Sequence, residues 1–230
     1  GDARLDLAVA NRDGGTVSVL RGDGSGGFAP RADHSAGGQP SAVAAGDLNG
    51  DGRADLVVAN RADTTISALL ATGSGGFATA VASRTDLEPA HLALADLNGD
   101  TRLDVVVACV GGDFVSVLVG NGDGSFAPRA DVVTSSRPAW LAVVDLDLDG
   151  RTDLVTASRA LGTVTVLTGN GNATFGPPRE MTVGLDPASV AAGDLDGDGV
   201  PDLAVTDNLS GSVLVLLGDG RGGFGSPAAY

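Results

Sequence analysis

The sequence predicts an all-β repeat protein, and two observations carry that reading. The first is a nine-residue stretch, Asp47-Leu48-Asn49-Gly50-Asp51-Gly52-Arg53-Ala54-Asp55, which returns at Asp96, Asp145 and Asp194, each copy 49 residues after the last. A fixed period of this length marks a chain of stacked supersecondary units rather than one continuous fold. The second is that each unit holds short apolar segments bounded by Gly, Pro, Asn and Asp, the pattern of strands and turns. In the second unit they fall at 41–46, 55–60, 65–71 and 77–83, which gives four strands. The segments are continuously apolar rather than alternating, so both faces of each strand are expected to be covered. Sheets stacked face to face around an axis supply that cover.

The repeated stretch carries chemistry as well as period. Oxygen side chains at its positions 1, 3, 5 and 9, with Gly at 4 and 6, suit a hard cation, since Ca2+ takes about six to eight oxygen ligands on a flexible turn. The side-chain ligands expected are Asp47, Asn49, Asp51 and Asp55; Asp96, Asn98, Asp100 and Asp104; Asp145, Asp147, Asp149 and Asp153; and Asp194, Asp196, Asp198 and Asp202. The seventh residue, Arg53, Arg102, Arg151 or Val200, is expected to contribute only its backbone carbonyl, so its side chain should not matter. About four Ca2+ ions are expected.

Two rival readings bear on these loops. An EF-hand needs a bidentate Glu at position 12 and flanking helices, whereas position 12 here is Val58, Val107, Thr156 or Val205 and the flanks are β-like. Plain hairpin turns also favour Asn, Asp and Gly. Four copies that each keep an oxygen at all four positions while their neighbours vary favour the cation. Thr101 at a sixth position and Leu148 at a fourth replace Gly, so strain is expected there. A truncated copy opens the chain: Asp2 and Asp6 lie 49 residues before Asp51 and Asp55, and without the first ligands they should hold no ion unaided.

The joints repeat too. Pro40, Pro89, Pro138 and Pro187 precede the first strand of each unit, where a missing donor does no harm. Phe28, Phe77, Phe126, Phe175 and Phe224 follow a Gly-rich turn at the same step and are expected to be wedges between neighbouring sheets.

Composition narrows the function. The net charge is -15, but 16 of the 29 acidic residues are loop aspartates, Asp2 and Asp6 of the truncated copy included, so the acidity is mostly site chemistry. There is no Lys; all 14 basic residues are Arg, and no basic patch interleaved with aromatics points to nucleic acid. No apolar run approaches the ~20 residues of a membrane span. Cys109 has no partner for an internal disulfide and reads as a buried small hydrophobe. Because the chain starts in mid-motif, a longer gene product is expected.

The combination of Asp-Leu-Asn-Gly-Asp-Gly-x-x-Asp-Leu, the following Val-Ala-Asn, Thr-Val-Ser-Val-Leu with Gly-x-Gly, and Phe-Gly-x-Pro resembles the FG-GAP/VCBS repeat family, over the whole chain. Only Phe175-Gly176 and Phe224-Gly225 keep the Phe-Gly pair. The family is similar to the blades of the integrin alpha-subunit propeller and of some fungal and bacterial lectins. The resemblance implies a β-propeller of four-stranded blades with calcium in the loops joining the first and second strands. Counted from the loops, the repeats are 1–46, 47–95, 96–144, 145–193 and 194–230, the first lacking its first strand. They imply a five-bladed ring with one depleted blade, or a piece of a longer propeller.

In such blades the cation loops and Gly-rich turns share one face, and the hairpins between second and third strands share the other with the links between blades. Copies agree on the cation face and differ on the opposite one. Two residues after the repeated Pro stand Ala42, His91, Trp140 and Ser189, and His91 and Trp140 are the candidate ligand contacts, the Trp as a flat platform. A protein or glycan partner is therefore expected on that face, although His91 and Trp140 filling the mouth of the ring is the plainer alternative. Catalytic chemistry is not expected: His34 and His91 occupy different repeat positions, and no nucleophile elbow or Cys-His pair is present. Arg21-Gly22-Asp23 spells an adhesion tripeptide but lies in a Gly-rich turn, where coincidence explains it. The expected function is a calcium-binding, extracellular or cell-surface interaction or adhesion module, bacterial in origin. The alternatives are a lectin with sites on or between blades, and a scaffold domain of a larger secreted enzyme.

Overall fold

The computed structural model describes residues 4–73, 75–134 and 137–230, and these form strands and turns with no helix. The first sheet is three-stranded: β1 (Leu7–Asn11), β2 (Thr16–Leu20) and β3 (Ala32–Ser35). Four four-stranded sheets follow. They are β4 (Pro40–Gly46), β5 (Asp55–Asn60), β6 (Thr65–Leu69) and β7 (Val81–Arg84); then β8 (Pro89–Ala95), β9 (Asp104–Cys109), β10 (Phe114–Leu118) and β11 (Ala130–Val133). The last two are β12 (Pro138–Val144), β13 (Asp153–Ser158), β14 (Thr163–Leu167) and β15 (Arg179–Thr182), and β16 (Pro187–Gly193), β17 (Asp202–Asp207), β18 (Ser212–Leu216) and β19 (Ala228–Ala229). Each sheet is an antiparallel meander in chain order, and the 49-residue period is one sheet.

The apolar runs behave as their composition requires. Every residue of β5, β9 and β13 is buried, because each of these strands lies between two neighbouring sheets. The core is accordingly four layers, one between each consecutive pair of sheets. Val57, Ile66, Val105 and Leu118 share the layer between the second and third sheets, for example, and Phe126 packs against it. Phe77, Phe175 and Phe224 take the equivalent place in the other three layers, each on the side of the preceding sheet. The wedge reading of these rings therefore holds.

Phe28 is the exception, 45% exposed, because among the described residues no further sheet packs on that side of the first one. Leu7 and Val9 stand open on the same side, although their equivalents Leu56 and Val58 are buried. At the other end Val213 is 40% exposed where its equivalent Val115 is fully covered. Among the described residues, no strand of the first sheet packs on the last in the way that β4, β8, β12 and β16 pack on one another. The five blades form an open arc, not a closed ring.

One expectation needs correcting. The third strand of the second blade stops at Leu69 and the fourth starts at Val81, not at Phe77. Between them a separate small hairpin forms, with Ala71 bridging Phe77 and Thr72 donating to the Gly76 carbonyl at 2.8 Å. The same bridge occurs in all five blades. Turning the Phe ring into the core interrupts the ladder, and in three blades a Pro two residues on (Pro30, Pro128 or Pro177) also removes a donor.

Candidate metal centres and the opposite face

Each nine-residue loop is wound around its first carboxylate. Asp47 Oδ1 accepts from the amides of Gly50 at 2.8 Å and Asp51 at 3.2 Å, and Oδ2 accepts from Gly52 at 2.8 Å. Asp96 does the same with Gly99, Asp100 and Thr101. These amide bonds, Gly52's foremost, hold the Asp47 carboxyl below the usual carboxylate range. The third and fifth oxygens each accept from the amide two residues on, as in Asp51 Oδ1 with Arg53 at 2.9 Å. Threading amides past one carboxylate demands left-handed backbone at positions 4 and 6. Gly50 and Gly52 supply it freely, whereas Leu148 at φ 60° and Thr101 at φ 68° adopt it against their side chains, as expected of those two loops.

The ninth residue does something the spacing alone did not show. Asp55 is fully buried; its Oδ2 accepts from Leu48 in the loop at 3.0 Å, and its Oδ1 from Ala71 in the Gly-rich turn at 2.7 Å. Asp104, Asp153 and Asp202 repeat both bonds, with Gly120, Gly169 and Gly218 as the second donors. This carboxylate is a latch that ties the Asp-rich loop to the Gly-rich turn and puts both on one face. Burial pushes the Asp104 and Asp153 carboxyls up, opposed by those two amides. Asp6 keeps half of the latch, accepting from Gly22 at 2.9 Å; Asp2 lies outside the described residues.

In two of the four loops the carboxylates are gathered closely enough to surround a Ca2+ ion. Carboxylate oxygens of Asp145, Asp147 and Asp149 lie within 4.8 Å of one another, as do those of Asp194, Asp196 and Asp202. Oxygens around an ion at about 2.4 Å are separated by up to roughly that distance. The seventh side chain, however, is not indifferent. The Arg53 guanidinium bonds the Asp51 carboxylate, Arg102 bonds Asp100, and Arg151 reaches Asp149 at 3.3 Å. Each arginine places its own positive charge on a candidate ligand. Val200 leaves the Asp194 loop without one.

On the opposite face, a bulge follows each repeated Pro and re-aims the next side chain. It brings His91 and Trp140 together from adjacent inner strands, with ring centres 3.9 Å apart and planes 22° from parallel. His91 is packed beneath; its Nδ1 is buried without a partner, and burial lowers its pKa to about 4. Trp140 stays 37% exposed over a cleft of about 520 Å³, with Ala90, Ala139 and Ala188 from three successive bulges in its lining.

Arg61, Arg137 and Arg159 line the same cleft, a convergence that the sequence reading missed. Arg61 pairs with Glu88 at 2.6 Å, and Arg159 with Asp186 through two bonds of 2.8 Å. Both pairs are 27 residues apart and join a hairpin to the following link. In the third copy the charge is inverted, with Val110 in the hairpin and Arg137 in the link, Arg137 Nε donating to the Val110 carbonyl at 3.2 Å. That 27-residue spacing is the signal that could have found them. His34 stands apart, edge-on to Phe77 at 5.0 Å. Within Arg21-Gly22-Asp23, Arg21 bonds the Gly75 carbonyl and the Asp23 carboxylate caps its own turn through Ser25 and Gly27, so both charged ends are used internally.

The FG-GAP-like repeat profile matches residues 1–58, 47–107, 96–156 and 145–205. The chain belongs to the FG-GAP-like repeat family. No curated protein matches the sequence. Among solved structures, the FG-GAP blades are similar to an Agrocybe aegerita lectin described for recognition of non-reducing terminal N-acetylglucosamine, with 22% identity, 98% of this chain, 66% of that one and a TM-score of 0.64. A Bacteroides fragilis protein described as a 6-phosphogluconolactonase shares 14% identity over 98% of this chain and 67% of its own, with a TM-score of 0.74. The BBS1N chain, solved in complex with ARL6DN, shares 20% over 80% of this chain and 54% of its own, with a TM-score of 0.52. The chain thus spans about two thirds or less of these neighbours. At such identities the likeness is one of fold, and it makes this FG-GAP arc part of a β-propeller architecture.

Proposed function

We propose that this FG-GAP chain is a calcium-stapled, non-catalytic binding module of an extracellular or cell-surface protein, with its ligand on the face opposite the cation loops. The observation that carries the reading is the division between faces. One is built alike in four copies around carboxylates and the Asp55-type latch; the other differs in every blade and exposes Trp140 over a cleft. Ca2+ would be held by the oxygens of positions 1, 3, 5 and 9 with the carbonyls of Arg53, Arg102, Arg151 and Val200, and would offset the carboxylate charge that a single arginine, where there is one, leaves unbalanced. Affinities at the weak end, roughly 10⁻⁴ to 10⁻³ M, suit an extracellular setting. A non-catalytic role is supported by the use of the carboxylates in loop structure and by the burial of His91. The experiment is thermal unfolding in millimolar Ca2+ against excess chelator. Free ion at ten times the dissociation constant stabilises by about 1.4 kcal/mol per site, so a large upward shift is expected, and an unchanged midpoint would overturn the staple.

A lectin is the second reading, favoured specifically by Trp140, because an exposed indole offers the apolar platform on which sugar rings stack. The Agrocybe aegerita neighbour agrees with it in fold. A glycan array with Trp140→Ala as the control checks this reading. Wild-type binding that the substitution removes supports it.

A further inference from the structure

The cleft beside Trp140 gathers three of the chain's 14 arginines in a protein whose net charge is -15. Arg61 and Arg159 already face carboxylates, Glu88 and Asp186. Arg137 differs. It occupies the link position that is acidic in the neighbouring blades, and its hairpin counterpart is Val110, which offers only a carbonyl. Among the described residues no carboxylate is bonded to Arg137; Glu88, which feels its charge, is bonded to Arg61. Its Nε is engaged, while the two terminal nitrogens of a guanidinium form a planar fork matched to a carboxylate. Trp140, 37% exposed and stacked on His91, lines the same cleft as Arg137. The nearby bulges carry alanines, Ala90, Ala139 and Ala188, which leave room for a ring.

We propose that this cleft binds an acidic sugar, its carboxylate on Arg137 and the apolar face of its ring on Trp140. The inference rests on the reading that the ligand face lies opposite the cation loops, and it adds the chemical class. Arg61 and Arg159 contribute field and shape rather than direct pairing, because each is already committed across a blade junction.

The test is binding of an oligogalacturonate, the neutral galactose oligomer of the same linkage, and a sulfated galactan to the wild-type chain and to the Arg137→Ala, Arg137→Lys and Trp140→Ala variants, all in Ca2+. The expected result is binding of the carboxylated oligomer at least tenfold tighter than the other two. Arg137→Ala should abolish that preference, and Arg137→Lys, which keeps the charge but loses the fork, should retain part of it. Unchanged midpoints in Ca2+ show that the variants are folded, and Arg137→Lys, the milder change, decides the matter if Arg137→Ala is not. Equal binding of the neutral oligomer, lost in Trp140→Ala but not in Arg137→Ala, would overturn the acidic class and leave the ligand face standing. Preference for the sulfated probe, or no binding of any of the three, would overturn the proposal, while the calcium-dependent midpoint separately decides the staple.

Discussion

The imidazole of His91 lies under the indole of Trp140 with ring centres 3.9 Å apart, so one buried titratable group and one half-exposed platform join two adjacent blades. Burial favours the neutral ring and lowers the His91 pKa from 6.5 to about 4. Above pH 6.5 the histidine is neutral folded or unfolded and costs nothing. As pH falls from 6.5 toward 4 the unfolded chain takes up a proton that the folded one does not, and stability declines. Between pH 6.5 and 5 the loss expected is up to roughly 2 kcal/mol. Denaturant unfolding at the two pH values checks it, with His91→Phe expected to lose most of the dependence. Trp140 is the only tryptophan, so its fluorescence should also titrate near pH 4 and not near 6.5.

The four cation loops should not be equal. Where the seventh residue is Arg, a Ca2+ ion bound as proposed would have to displace or tolerate a guanidinium already on the fifth carboxylate, as with Arg53 on Asp51. These pairs are partly exposed and worth about 1 kcal/mol at most. Arg53→Val is therefore expected to tighten its site by up to roughly fivefold, and Val200→Arg to weaken the Asp194 site by a similar factor. Calcium titration calorimetry of the two variants reads the difference.

The phenylalanine wedges give an internal comparison. Phe126 packs between two blades and Phe28 faces an open end. Phe126→Ala should cost about 3 kcal/mol, and Phe28→Ala less than about 1 kcal/mol because little burial is lost. Equal losses in chemical denaturation would show that the open side of the first blade is covered in solution.

Thr101 and Leu148 hold left-handed backbone where other copies have Gly. The conformation costs roughly 1–2 kcal/mol for a residue with a Cβ, partly offset by the lower entropy of its unfolded state. Thr101→Gly is expected to raise stability by about 0.5–1 kcal/mol in chelator. A fall would mean that the side chain contributes more than its backbone costs.

Features set within a few residues were legible from the start. Alternating oxygens and glycines mark the loops because each carboxylate bonds amides two to five residues on, and the 49-residue step announces the blades because each is one meander. The extent of the fourth strand was not legible, since turning Phe77 into a neighbouring blade interrupts its own ladder. The side chain of Arg53 was misjudged for a related reason: its carbonyl was assigned by spacing, but the reach of its guanidinium to Asp51 depends on how the loop coils.

The sequence by itself determined the all-β units and the local form of the Asp-rich loops, because those follow from local backbone preferences and short hydrogen bonds repeated at a fixed step. Only the tertiary structure decided that the arc is open, leaving Phe28 exposed and Phe126 covered though their local sequences are alike. It alone brought Arg61, Arg137 and Arg159 to one cleft beside Trp140. Burial and convergence depend on which blade stands next to which, and nothing within a single repeat encodes that.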